Sequence, residues 1–293
     1  MAILTKLASD QLIVAHAADR FDITNVGAVL FAAKLSAFPQ RIARKMLRII
    51  KYRGNGKLDT EREEPIDLGY AVGFEQALST IGLLLPANEV IGQALRKDVR
   101  LYPGLAVREL VANALIHQDF TQTGCGPMVE MYDDRLEITN PGRPLIDTRR
   151  FVDEAPRSRN ETIASLMRRM NICEEKGSGV DKVLLQCELH QLPAPDFRST
   201  EHATIAVLFA PIPFADMDRA NRIRSCYLHA CLRWVVGGKP LTNESLRTRL
   251  GLDDKQYPTA SRIIKDTLDQ TKIRPQDQMS TSRKDAKYVP YWA

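Results

Sequence analysis

Three short segments with polar residues, one on a helix and two at the end or start of a regular element, constrain this chain more than any other feature. The first is Arg108-Glu109-Leu110-Val111-Ala112-Asn113-Ala114, in a stretch from Leu105 to about Gln118 that follows Pro103-Gly104 and has helical spacing. The second, Glu137-Ile138-Thr139-Asn140-Pro141-Gly142, closes a strand. The third, Glu175-Lys176-Gly177-Ser178-Gly179-Val180, opens a helix running to about Gln191. Around them the sequence predicts strands over 46–52, 128–132, 136–139 and 204–210, and a helix over 68–85. The first strand ends at the turn Arg53-Gly54-Asn55-Gly56, and Asp133-Asp134-Arg135 makes a hairpin of the next two. This order of elements belongs to an α/β or α+β layer domain.

Each segment has a chemical use and a plain structural one. Glu109 and Asn113 are four apart and share a helix face, with His117 one turn further on. A carboxylate there can orient or deprotonate a water, and an amide oxygen one turn away can ligate a hard cation such as magnesium. Many solvated helix faces carry the same pair. Asn140 ends a strand where a base edge can reach its amide, with a close backbone approach at Gly142. Asn-Pro-Gly also makes an ordinary turn. Gly177 and Gly179 expose backbone N–H groups and the positive end of a helix dipole, which suits phosphate. A flexible loop with Ser178 as N-cap has the same sequence. Singly the segments are weak; their order and spacing are specific.

After Pro211–Pro213, the best linker, the chain predicts helices over 218–236, 242–250 and about 258–269, with Pro258 suited to a first turn. A polar, basic tail ends in Tyr288-Val289-Pro290-Tyr291-Trp292. Three helices followed by a β-like extension predict a winged helix. Residues 218–293 hold 15 Lys/Arg against 8 Asp/Glu, a net of +7, which leaves −2 for the rest of the chain. That asymmetry suggests a polyanionic partner such as DNA; a merely solvated surface is the alternative. The third helix stands where a winged helix carries its recognition helix. Tyr257, Ser261, Arg262 and Lys265 are its candidate DNA contacts, Ile263, Ile264 and Leu268 its core side. Arg283 and Lys284 in the wing suit phosphates.

Composition removes other classes. The longest apolar stretch, near Ile81–Ala87, is far too short for a membrane span, and residues 1–8 lack the features of a leader, so a cytoplasmic protein is expected. Cys125, Cys173, Cys187, Cys226 and Cys231 form no C-x-x-C pair, against a disulfide framework or a zinc site. The five histidines do not cluster with them at metal spacing. The sequence has neither G-x-S-x-G nor G-x-x-x-x-G-K-[ST], which argues against an α/β-hydrolase and against a motor helicase.

Taken in order, E-x-x-x-N on a helix, strand–N-P-G, and G-S-G opening a helix resemble the GHKL ATPases with the Bergerat fold: gyrase, heat-shock chaperone ATPases, histidine kinases and MutL. More closely, R-E-L-V-A-N-A-L-I-H-Q-D-F, D-R-L-E-I-T-N-P-G, S-R-N-E and E-E-K-G-S-G-V-D-K-V resemble a divergent bacterial branch labelled RecG-like helicase or Alba/Schlafen-type transcriptional regulator. The resemblance spans roughly 25–292. It implies an α+β fold, a two-layer sandwich of GHKL type followed by a winged helix-turn-helix domain. The implied division is 1–53 as the remnant of a preceding Alba/Schlafen-like domain, 54–213 as the ATP-binding domain and 214–293 as the winged helix.

The resemblance also implies roles. Glu109 matches the residue that activates water, and Asn113 the magnesium ligand. Asn140 stands where the wider superfamily has an adenine-binding aspartate, with Gly142 after it. Gly177, Ser178 and Gly179 match the phosphate loop, and Ser158, Arg159 and Asn160 fall in a lid-like segment, with 151–171 its mobile part. Cofactors would be ATP and Mg2+, partners DNA and ATP/ADP, with room for a homo-oligomer and no membrane. An amide at 140 loses the charge-assisted strength of a carboxylate, so slow or absent hydrolysis is expected. Nucleotide occupancy would then modulate DNA binding or assembly. The rival reading is a DNA- or protein-binding module on a degenerate nucleotide fold.

Overall fold

The computed structural model describes residues 2–16, 20–85, 87–91, 96–173, 178–277 and 286–293. In chain order its elements are α1 (Ala2–Ser9), β1 (Ile13–Ala15), β2 (Phe21–Ile23), α2 (Asn25–Phe31), α3 (Gln40–Ala43), β3 (Leu47–Tyr52), β4 (Thr60–Ile66), α4 (Tyr70–Leu84), β5 (Ala87–Ile91) and β6 (Arg96–Arg100). Then come α5 (Gly104–Ile116), β7 (Met128–Met131), β8 (Arg135–Pro141), α6 (Glu161–Arg169), α7 (Gly179–Leu189), β9 (Asp196–Ser199) and β10 (Ala203–Phe209). The chain closes with α8 (Arg219–Gly237), α9 (Asn243–Leu250), α10 (Tyr257–Asp269), β11 (Ile273–Pro275) and β12 (Tyr288–Pro290).

The centre is a mixed six-stranded sheet in the order β4-β3-β7-β8-β10-β9, with β3 and β7 parallel and every other pair antiparallel. With helices beside a mostly antiparallel mixed sheet, the class is α+β. Side chains alternate across a strand. One line of cross-strand neighbours, Ile49, Val129, Ile138 and Ala206, therefore shares a face. Ile49, Val129 and Ile138 are buried there with Phe74 and Ala77 of α4 and Ala106, Leu110 and Val111 of α5. Burying such side chains stabilises the fold by about 1.5–3 kcal/mol each. Asn140 and Thr204 are the next pair along the same line, so the sheet delivers them to the helix side.

β3 lies inside this sheet, bonded to β4 on one side and β7 on the other. The boundary expected at 53/54 falls within the β3–β4 hairpin. The turn expected at Arg53-Gly54-Asn55-Gly56 opens the connection between these two paired strands. Residues 47–52 are thus part of the sheet.

At the C-terminal end, α8, α9 and α10 enclose a second core of Cys226, Cys231, Leu246, Ala260, Ile263 and Ile264, with β11 and β12 paired beside them. Thr242 caps α9 through a reciprocal capping box with Ser245, each side chain bonding the other's backbone N–H. Among the described residues no helix is long and apolar enough to cross a membrane.

Candidate functional site

α5 is buried along most of its length because apolar side chains surround nearly every turn. Glu109 is therefore only 8 % exposed, although it is a carboxylate. Buried charge is costly unless compensated, and the N-terminus of α7 lies directly beside it. A Cβ built on Gly179 would sit 3.0 Å from Glu109 Oε2 and 3.6 Å from Asn113 Nδ2. The N–H groups of the first turn of α7 have no acceptor within the helix, and their dipole favours negative charge. The first helical bond runs from Lys182 N–H to Ser178 O.

These residues line a cleft of about 560 Å³ between α5, α6 and α7 and the β8–β10 end of the sheet. Its floor is Ile138, Asn140, Thr204 and Ala206. Asn140 is 7 % exposed, and its Nδ2 makes one long bond of 3.3 Å to Pro141 O. Its amide is therefore loosely held beside a floor that Ile138 and Ala206 make largely apolar. Phe151 and Phe197 meet edge-on at one wall, 5.4 Å between ring centroids. The opposite character comes from Arg157 and Arg168, which also line the cleft. Their guanidinium groups make no hydrogen bond or ion pair among the described residues. Two guanidinium groups with no partner among the described residues, in a cleft that a helix N-terminus also lines, suit an anion with several oxygens. The His117 imidazole, at the C-cap of α5, is held below its ordinary pKa by burial and by the nearby Arg159 charge, so it is neutral near pH 7.

Four sequence-predicted residues thus meet in one cleft: Glu109, Asn113, Asn140 and Gly179. Ser178 caps α7 without a side-chain bond and is not part of the lining. Gly142 does not line the cleft either. Its φ of +103° turns the chain out of β8, and its N–H donates to His202 O at 2.7 Å while its carbonyl accepts from Thr204 Oγ1 at 2.8 Å. The close approach expected at Gly142 is made to Asp119, whose Cβ would lie 2.7 Å from an added Cβ. Gly177 lies outside the described residues, as do Arg283 and Lys284 of the predicted wing.

The segment expected to be mobile, 151–171, is tied down at its middle. Asn160 Nδ2 donates to Ile116 O at 2.6 Å and to Gln118 O at 2.8 Å, clamping the segment to the end of α5. Arg159 donates to Arg143 O at 2.6 Å. The S-R-N motif was visible in sequence; its clamping role needed the distance between 116 and 160 to close. Thr204, Arg157 and Arg168 carried no signal of their own.

A family model described as "Putative ATP-dependent DNA helicase recG C-terminal" matches residues 124–208. The match covers β7 through most of β10, including Asn140 and Gly179. Glu109 and Asn113 lie outside the match and reach the cleft through the packing of α5 on α7. No curated protein matches the chain. Among solved structures, the DIP2311 protein from Corynebacterium diphtheriae aligns with 97% of this chain at a TM-score of 0.59 and 15% identity. This likeness is one of fold, and the chain spans 56% of that protein's length.

On the predicted DNA-binding side, Arg262 and Lys265 stand exposed on α10, and Tyr257, 39 % exposed, begins it. Ser261 is engaged within the protein: its Oγ accepts from Asn243 Nδ2 at 2.9 Å, and the same amide donates to Tyr257 O at 3.0 Å. Asn243, which the sequence did not single out, staples α9 to α10.

Proposed function

We propose that the cleft binds a purine nucleoside triphosphate, ATP with Mg2+, in a GHKL-type two-layer fold. One observation carries this reading. Three segments far apart in sequence bring Glu109, Asn113, Asn140 and Gly179 to a single cleft, and two of those segments lie in the ATPase-like match. The loosely held Asn140 amide suits the donor–acceptor edge of a base, and the apolar floor suits its ring. The N-terminus of α7, with Arg157 and Arg168, suits the phosphates.

The donor set fits magnesium as such sites use it, with one or two protein oxygens and the remaining positions taken by phosphate and water. Asn113 supplies the amide oxygen and Glu109 a carboxylate next to it. When bound, the cation would be held by these oxygens and would neutralise phosphate charge. Glu109 is the group placed to accept a proton from water. Asn140 in place of a carboxylate makes this a binding site first and a slow hydrolase at most.

Residues 214–293 read as a winged helix, with α9 and α10 as the helix-turn-helix and β11–β12 as the wing strands. DNA contact through α10, modulated by nucleotide occupancy, is the function proposed for the whole chain. In this reading 47–213 form the nucleotide unit, since β3 is one of its strands.

The test is calorimetric titration of ATP with and without Mg2+. Wild type should bind. Asn113→Ala should lose the magnesium-dependent part of the affinity with the fold intact, and Glu109→Gln should keep binding while losing any turnover. Equal affinity in Asn113→Ala would remove the magnesium role, and no binding in wild type would leave the rival reading of a degenerate nucleotide fold.

A further inference from the structure

The cleft wall formed by 151–160 is not free-standing. It follows a single 3-10 turn, Thr148–Arg150, and the two residues after that turn serve different parts of the molecule. Phe151 lines the cleft. Val152, 7 % exposed, belongs to the core of the C-terminal helices. The turn itself is gripped from the C-terminal end. Tyr227 Oη of α8 donates to Arg149 O at 2.6 Å, and Trp292 Nε1 donates to Tyr227 Oη at 3.4 Å. The Arg150 guanidinium lies over the Trp292 ring, 5.4 Å from its centroid. Arg150 also pairs with Asp153 and reaches Glu154 at 3.8 Å, and Glu154 lines the cleft. Tyr291 stacks on Tyr227, and its N–H donates to Lys272 O at 3.1 Å.

We propose that Tyr291 and Trp292, the aromatic pair that β12 runs into, form a latch that holds the cleft wall in its ligand-ready position, and that the cleft and the C-terminal helices are coupled through it. The coupling half of this inference rests on the nucleotide reading of the cleft; the latch itself does not. Val180 and Phe197 of the cleft lining also pack against the C-terminal core, while a polar tie lies further off. Glu188, which bonds His229 of α8 and sits 3.3 Å from Arg249 of α9, is at the end of α7 remote from Gly179. At the latch, one or two residues separate groups lining the cleft from groups packed on Tyr227 and Trp292. An ordered wall spares the ligand the cost of ordering it. Coupling of this kind is reciprocal: a latch that favours nucleotide is itself favoured by nucleotide. A partner that displaces β12 or its two following aromatics should therefore loosen the wall and lower nucleotide affinity.

The experiment uses the full chain in two arms. Hydrogen exchange without nucleotide should show faster exchange over 148–158 in Trp292→Ala and in Tyr227→Phe, with α5 unchanged. Calorimetry should show the dissociation constant of Mg-ATP rising about tenfold in both variants, a typical coupling strength. In a Trp234→Phe background, Trp292 is the sole indole, and its emission should shift on saturation with Mg-ATP. Tyr227→Phe, which removes one oxygen atom, decides the matter if Trp292→Ala does not fold. Wild type that fails to bind ATP sinks the nucleotide reading while the exchange arm still decides the latch. Unchanged exchange over 148–158 in Tyr227→Phe overturns the latch. Faster exchange with an unchanged dissociation constant overturns the coupling.

Discussion

Gly179 approaches Glu109 so closely that a single added carbon would lie 3.0 Å from the carboxylate oxygen. That contact is tighter than side chains ordinarily adopt, so the Glu109 carboxylate must shift along the cleft that it lines. Glycine here is not needed for an unusual φ; it is needed for space at a helix start.

Gly179→Ala should therefore disturb the site more than the fold. Alanine favours a helix by up to about 1 kcal/mol over glycine, which offsets part of the crowding. The melting temperature should change little, while ATP affinity falls about tenfold or more as Glu109 and Asn113 are displaced. Calorimetry beside a thermal melt separates the two. A variant that binds ATP as wild type does would show that this contact does not shape the site.

Asn160 should behave the opposite way. Its Nδ2 serves two carbonyls at the end of α5, Ile116 O and Gln118 O. Asn160→Ala leaves both short of a donor in a part-buried place, at a cost of about 1–3 kcal/mol. Urea denaturation should report that loss. Asn160→Asp should be as harmful, since a carboxylate cannot donate to either carbonyl.

Much of the fold was legible in the sequence, for identifiable reasons. The helices over 104–116, 179–189 and 219–237 combine apolar spacing with clear ends. β10 is a continuous β-branched or apolar run, and β3 has the apolar pair Ile49-Ile50 between Arg48 and Lys51. β4, Thr-Glu-Arg-Glu-Glu-Pro-Ile, was not legible, because an edge strand exposed along most of its length carries charges where a core strand carries apolar residues. Missing it hid the β3–β4 hairpin, within which the expected first boundary falls. In the cleft, Glu109, Asn113, Asn140 and Gly179 could be named because each belongs to a local motif. Thr204, Arg157 and Phe197 could not, since only strand register and the return of the 151–160 segment bring them near.

His117 gives a prediction in pH. Burial and the Arg159 charge hold its folded pKa below the ordinary histidine value of 6.5. As pH falls through about 6.5 the unfolded chain takes up a proton there and the folded chain does not, so stability decreases with acidification over that window. Above it the group contributes no pH dependence. Thermal melts from pH 7.5 to 5.5 should show a steeper decline in wild type than in His117→Gln. Parallel curves would mean that the imidazole protonates freely in the fold.

The last prediction concerns charge at the C-terminal end. The count of 15 basic residues over 218–293 overstates the surface they make. Arg222 donates to Phe214 O, Arg224 to Ala194 O, Arg233 to Pro240 O, Arg249 to Leu192 O and Arg274 to Ala293 O. Arg219 pairs with Asp266, and Arg247 with Asp254. These arginines hold backbone carbonyls and neighbouring helices. Lys239, Lys255, Arg262, Lys265 and Lys287 remain exposed, with no ion pair among the described residues. Arg262 and Lys265 share α10, with Lys255 just before it. If α10 meets DNA, each phosphate contact contributes about −0.9 to the slope of log affinity against log salt. Arg262→Ala with Lys265→Ala should flatten that slope by about 1.8 units. Arg233→Gln should leave the slope alone and lower the melting temperature, because its task is the Pro240 carbonyl. Fluorescence anisotropy on a random duplex over a salt series measures both. A slope that falls equally in the two variants would mean that DNA does not approach along α10, and absence of binding at low salt would make 214–293 a protein-contact module.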